Sequence, residues 1–151
     1  MSILWFHIKK EHEDIYSVND FKLIKYNNEI LTAKQFNEEH ERCLNFIKNS
    51  LKTSKAKYKI IVTHHVPSKL LNAKEFDGSD INDAFTVDLT DFIKKSGVDY
   101  WIFGHSHRNI NKNIGKTKCL CNQIGYVMAE EHLTFDRSKY FELKDNKCNI
   151  V

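Results

Sequence analysis

Proline is almost missing from this sequence of 151 residues: Pro67 is the only one, and the five glycines lie far apart. No proline-rich hinge, glycine-rich linker, collagen repeat or low-complexity tract divides the chain, which reads as one continuous unit. Cysteine is scarce as well. Cys43, Cys119, Cys121 and Cys148 are too few and too scattered to staple a small secreted scaffold, which suits reduced thiols and a cytoplasmic location. No apolar run approaches the roughly 20 residues of a membrane-spanning helix. The opening run, Ile3 to Phe6, stops at His7 and is also too short for the core of a signal peptide. Charge of one sign is lacking too: 23 basic and 20 acidic side chains leave a net +3. The lysines are spread among acids and only Arg42, Arg108 and Arg137 are arginines, so neither a nucleic acid nor a membrane is expected as a partner.

What is present has the balance of an ordinary globular domain, with 41% hydrophobic and 28% charged residues. A chain of this length buries about 68–70% of its unfolded surface. The apolar pattern predicts alternating strands and helices. Ile3 to Phe6 reads as a buried strand, and Phe21 to Tyr26 as a strand turning at Asn27-Asn28. Thr32 and Gln35 have the spacing of a capping box, and Phe36, His40, Cys43, Leu44, Ile47 and Leu51 form one face of the helix it opens. Tyr58 to Thr63 then reads as a buried strand. Leu89, Phe92 and Ile93 mark a short helix stopped at Ser96-Gly97, and Val98 to Phe103 the next strand. In the last third Gly115-Lys116 suits a hairpin turn, with short strands expected at Thr117 to Cys121, Tyr126 to Met128 and Tyr140 to Leu143. The class is mixed α/β (α+β) with an antiparallel finish.

Histidine is the compositional oddity, with eight in the chain. Taken singly, His7, His12, His40 and His132 are best read as solvated or packed residues. Two clusters differ, because each follows an apolar strand: Thr63-His64-His65-Val66-Pro67 and Gly104-His105-Ser106-His107. In open α/β sheets the loops beyond the carboxyl ends of strands share one crevice. Two residues apart, His105 and His107 would face one locus if their segment is extended. Neutral imidazole is the commonest metal-binding side chain, so His64, His105 and His107 are candidate ligands for a divalent transition metal. His65 can support those ligands from behind, face a substrate, or be a plain loop residue. Arg108 and Asn109 can touch a substrate phosphate, although a solvated loop is the favoured reading.

Val62-Thr63-His64-His65-Val66-Pro67-Ser68, followed by Trp101-Ile102-Phe103-Gly104-His105-Ser106-His107-Arg108-Asn109, resembles the last two metal motifs of the calcineurin-like metallophosphoesterase superfamily. The likeness extends from the Leu4-Trp5 strand through Asn19-Asp20-Phe21 to Asn122-Gln123-Ile124-Gly125-Tyr126. It implies a four-layer β-sandwich flanked by helices. It also implies hydrolysis of a phosphoester at a dinuclear centre of Mn, Fe or Zn, where a bridging hydroxide attacks phosphorus while both ions offset charge on the phosphoryl oxygens. By that likeness His64 and His105 hold one ion and His107 the other.

The superfamily also carries Asp-x-His, Gly-Asp-x-x-Asp and Gly-Asn-His-Asp/Glu upstream of these motifs, and none of the three occurs here. Residues 1–151 are therefore expected to form a single partial domain, the C-terminal half, holding at most one ion. On that expectation the chain is inactive alone and needs a complementary N-terminal half or associates as a homo-oligomer. A non-catalytic remnant and a small histidine-based metal-binding protein are the alternatives. Cys119-Leu120-Cys121 is read as packing, and Asp77, Asp80 and Asp83 lack the spacing of a calcium loop.

Overall fold

The computed structural model describes residues 16–143, so the expected strand at Ile3 to Phe6 and Cys148 lie outside the described residues. Chain order begins with a single helical turn, α1 (Asp20–Leu23), and a small hairpin of β1 (Lys25–Tyr26) and β2 (Glu29–Ile30). The expected strand from Phe21 to Tyr26 thus survives only as its last two residues. Phe21 is buried against Phe36, with ring centroids 5.2 Å apart, and that tertiary contact favours a helical turn over an extended segment. Asn27 and Asn28 make the hairpin turn at φ 52° and 69°, conformations that asparagine tolerates better than most residues.

Thr32 caps α2 (Ala33–Thr53). Its hydroxyl accepts from the Gln35 N–H at 3.3 Å while the Gln35 side chain accepts from the Thr32 N–H at 2.9 Å, so two orphan helix donors are satisfied. Leu44 and Ile47 of the apolar face enter the main core, whereas Ala33 and Phe36 close a second cluster with Phe21, Leu31 and Ala84.

A four-stranded sheet carries the rest. Its strands β3 (Ile60–Val62), β4 (Tyr100–Ile102), β5 (Lys112–Ile114) and β6 (Thr117–Leu120) lie in the order β3-β4-β6-β5. β3, β4 and β6 are parallel, and β5 returns antiparallel to β6 as the hairpin signal implied. Between β3 and β4 runs the short helix α3 (Thr90–Lys95), closed by the Ser96 hydroxyl donating to the Ile93 carbonyl at 2.8 Å. The class is mixed α/β, as expected, and the described residues supply one four-stranded sheet.

Strand alternation decides the core. Ile61, Trp101 and Cys119 sit in register across three strands and share a face with Phe103 and Cys121, against which Leu44, Ile47 and Ile93 pack. On the opposite face Phe141 stacks on Tyr100 at 4.7 Å. β3 is an edge strand and only half-buried: Ile61 is 8% exposed, but Ile60 and Val62 are 40% and 44% exposed. The continuous apolar run suggested burial on both faces, and the sheet edge grants it on one. Two late strands also fail to form as expected. Val127–Ala129 is a 3₁₀ turn that leads into another at Glu131–Thr134, and Tyr140 to Leu143 contributes only a bridge at Phe141. Val127 and Met128 point to solvent, so no buried face stabilises a strand there.

Candidate metal centre

The β3–β4 pairing continues past both strands. The Thr63 N–H donates to the Ile102 carbonyl at 2.9 Å and the Gly104 N–H to the His64 carbonyl at 2.8 Å. A side chain at 104 would press on that carbonyl and on the Gln123 amide, each 3.4 Å from the position a Cβ would take. The two histidine motifs are thereby zipped together. His105 Nδ1 lies 3.0 Å from His64 Nε2. The His65 ring centroid is 4.3 Å from that of His105, and one ligand atom from each of His64, His65 and His105 lies within 4.8 Å of the others.

His107 takes another direction. His105 and His107 have φ of 73° and 53°, so the segment turns at both residues instead of staying extended, and their side chains diverge. His107 Nδ1 meets Glu131 Oε2 at 2.9 Å, and its ring packs edge-on against Tyr126. All three expected ligands nevertheless line one cleft of about 600 Å³, together with Asp20, Asn82, Ser106, Tyr126 and Glu131. His65, left open by its sequence, is buried within the imidazole group, and the Thr63 hydroxyl donates to its carbonyl at 3.2 Å. Arg108 and Asn109 do not line the cleft. The Arg108 guanidinium donates to Glu75 at 2.6 Å and lies 3.5 Å from Glu131, while the Asn109 amide donates to Gln123 and Thr134 and accepts from the Gln123 N–H.

Burial lowers the pKa of His105 to about 4, helped by the neighbouring His64 and His107. Burial also lowers that of His64, opposed by Asp20. Both rings are therefore neutral at pH 7, which is the form that binds a metal. Asp20 is displaced upward, burial outweighing the attraction of His64. Glu131 is held below the usual carboxylate range, first by the Tyr126 N–H donating to it at 2.6 Å and then by His107 and Arg108.

The donor set fits a divalent transition metal: neutral imidazoles converge at one wall of a cleft that two carboxylates, Asp20 and Glu131, also line. Ser106 also lines this cleft, and its buried hydroxyl has no hydrogen-bond partner among the described residues. Asp20, Ser106 and Glu131 were not expected at the site. Ser106 could have been read from its place between two candidate ligands. Asp20 arrives through the burial of Phe21, and Glu131 through a turn with no spacing signal.

The family model for calcineurin-like phosphoesterases matches residues 2–109, more than half of the chain and including both histidine motifs. The chain belongs to the calcineurin-like phosphoesterase family. The matched span starts at residue 2, and that location does not bear out the expectation of a C-terminal half only. No curated protein and no solved structure matches the chain. Family membership implies use of a divalent metal, and no helix among the described residues is long and apolar enough to cross a membrane.

The Cys119-Leu120-Cys121 motif does not line this cleft. Cys119 and Cys121 are buried in the sheet core, and burial pushes both thiols up to about 11, which makes them packing residues.

Proposed function

We propose that this phosphoesterase chain holds a divalent metal (Mn, Fe or Zn) at His64 and His105, with His65 behind them and His107 across the cleft, and uses it to hydrolyse a phosphoester. The observation that carries the reading is the convergence of three imidazole nitrogens within 4.8 Å of one another beyond two parallel strands. A divalent ion there would supply Lewis-acid polarisation of a phosphoryl oxygen. Around it, Phe85 and Tyr126 line the cleft beside the rings of His105 and His107. Phe85 stacks on His105 at 5.0 Å and keeps that ring in place.

The carboxylate motifs that complete a dinuclear centre are not among residues 1–151, so one ion is bound here and turnover depends on carboxylates from outside these residues. Phe46, Ile60 and Val62 form an open apolar groove beside the edge strand, which supports association with a second copy or another chain in a cytoplasmic setting. The missing carboxylates equally favour a second reading, a non-catalytic metal-binding remnant. Calorimetric titration with Mn²⁺ and Zn²⁺, sizing chromatography and an aryl phosphate assay test these readings. Binding that His105→Ala abolishes supports the metal site. The chain alone should hydrolyse no faster than His107→Ala, and turnover that appears on adding a polypeptide with the missing carboxylate motifs, and is lost in His107→Ala, selects the enzyme over the remnant. No binding by either ion removes both.

A further inference from the structure

We propose that Glu131 is a positioning residue for His107: it accepts the Nδ1 proton of that ring, fixes the Nδ1–H tautomer, and leaves the lone pair on Nε2 for an ion in the cleft. The contact is direct, with His107 Nδ1 2.9 Å from Glu131 Oε2. The carboxylate is anchored independently of the histidine. The same Oε2 accepts the Tyr126 N–H at 2.6 Å, and the Arg108 guanidinium lies 3.5 Å from Oε1. Its side chain is 15% exposed, so water competes weakly for it.

The backbone is shaped around this pair. Glu130 adopts the left-handed conformation at φ 56°, which separates the two 3₁₀ turns and brings Glu131 back toward the strand ends. Gly125, at φ 61°, is where the approach is tightest. A Cβ there would stand 2.6 Å from the Glu131 Cβ, 2.8 Å from its Oε2 and 3.2 Å from the His107 Cβ. The pairing of carboxylate and imidazole thus requires a residue without a side chain at 125. A carboxylate on the distal nitrogen of a metal-binding histidine sets its tautomer and raises its basicity, and loss of such a partner commonly costs 10–100-fold in metal affinity. Glu131 lies beyond the span that matches the family model.

The consequence for the metal rests on the function proposed above, whereas the tautomer does not. Long-range ¹H–¹⁵N spectra of the metal-free chain at pH 8 read the protonated nitrogen of His107 directly. Nδ1–H is expected in the wild type and in Glu131→Gln, whose carboxamide oxygen can still accept. Glu131→Ala and Gly125→Ala should release the ring toward Nε2–H, and Glu131→Ala should bind Zn²⁺ 10–100-fold more weakly. Nε2–H in the wild type overturns the proposal without recourse to any variant. So does a Glu131→Ala variant, folded by its amide spectrum, that keeps the wild-type tautomer or the wild-type Zn²⁺ affinity. A wild type with His107 as Nδ1–H that binds no Zn²⁺ overturns the metal-directed half through the failure of the proposed function, and leaves the tautomer assignment standing.

Discussion

His105 Nδ1 and His64 Nε2 face each other at 3.0 Å across 41 residues of sequence. One of the two nitrogens must carry a proton and the other a lone pair, so protonating both rings at once forces two cations together. Burial lowers the pKa of His105 to about 4 and lowers that of His64 as well. The unfolded chain protonates His105 near pH 6.5 and the folded chain only near 4, so stability falls as pH drops through that window, and His64 acts in the same direction. Urea unfolding should show a loss of about 1–2 kcal/mol between pH 6.5 and pH 5, above the range where most carboxylates titrate. In His105→Gln that slope should shrink. An unchanged slope would mean that His105 is solvated.

Metal should act on the same equilibrium. Zn²⁺ at a free concentration of 100 times its dissociation constant should raise unfolding free energy by about 2.7 kcal/mol. EDTA should reverse the gain, and His64→Ala or His105→Ala should abolish it. Thermal melts with and without the ion give the answer.

Thr63 links the core to the histidine loop. Its hydroxyl accepts from the Trp101 indole N–H at 3.0 Å and donates to the His65 carbonyl at 3.2 Å, with all three residues buried. Thr63→Val keeps the shape and strands the indole donor, at a cost of roughly 1–3 kcal/mol. Tryptophan fluorescence during denaturation measures it, and the His65 amide resonance should move with it.

The capping box at Thr32 is worth about 1 kcal/mol by the usual range for such caps. Thr32→Ala should lower stability by that amount, while Thr32→Ser and Thr32→Asp should recover most of it. A neutral Thr32→Ala, read by circular dichroism melts, would mean that the Phe21–Phe36 packing alone holds the start of α2.

Legibility in the sequence followed the range of the interaction. The Thr32 cap, the apolar face of α2 and the β5–β6 hairpin depend on residues a few positions apart, and each appears where its pattern indicates. The placement of His64 and His105 beyond apolar strands was legible for the same reason: an apolar run followed by a polar loop locates a strand end. The orientation of each imidazole was not legible. Positive φ at His105 and His107 turns one ring toward His64 and the other toward Glu131, and nothing in Gly-His-Ser-His announces such a turn. Asp20 comes to the cleft because Phe21 finds Phe36, and Glu131 comes because Gly125 leaves room for it. Those contacts join segments far apart in the chain, so their energies exist only once the sheet, the helix and the closing turns have packed together.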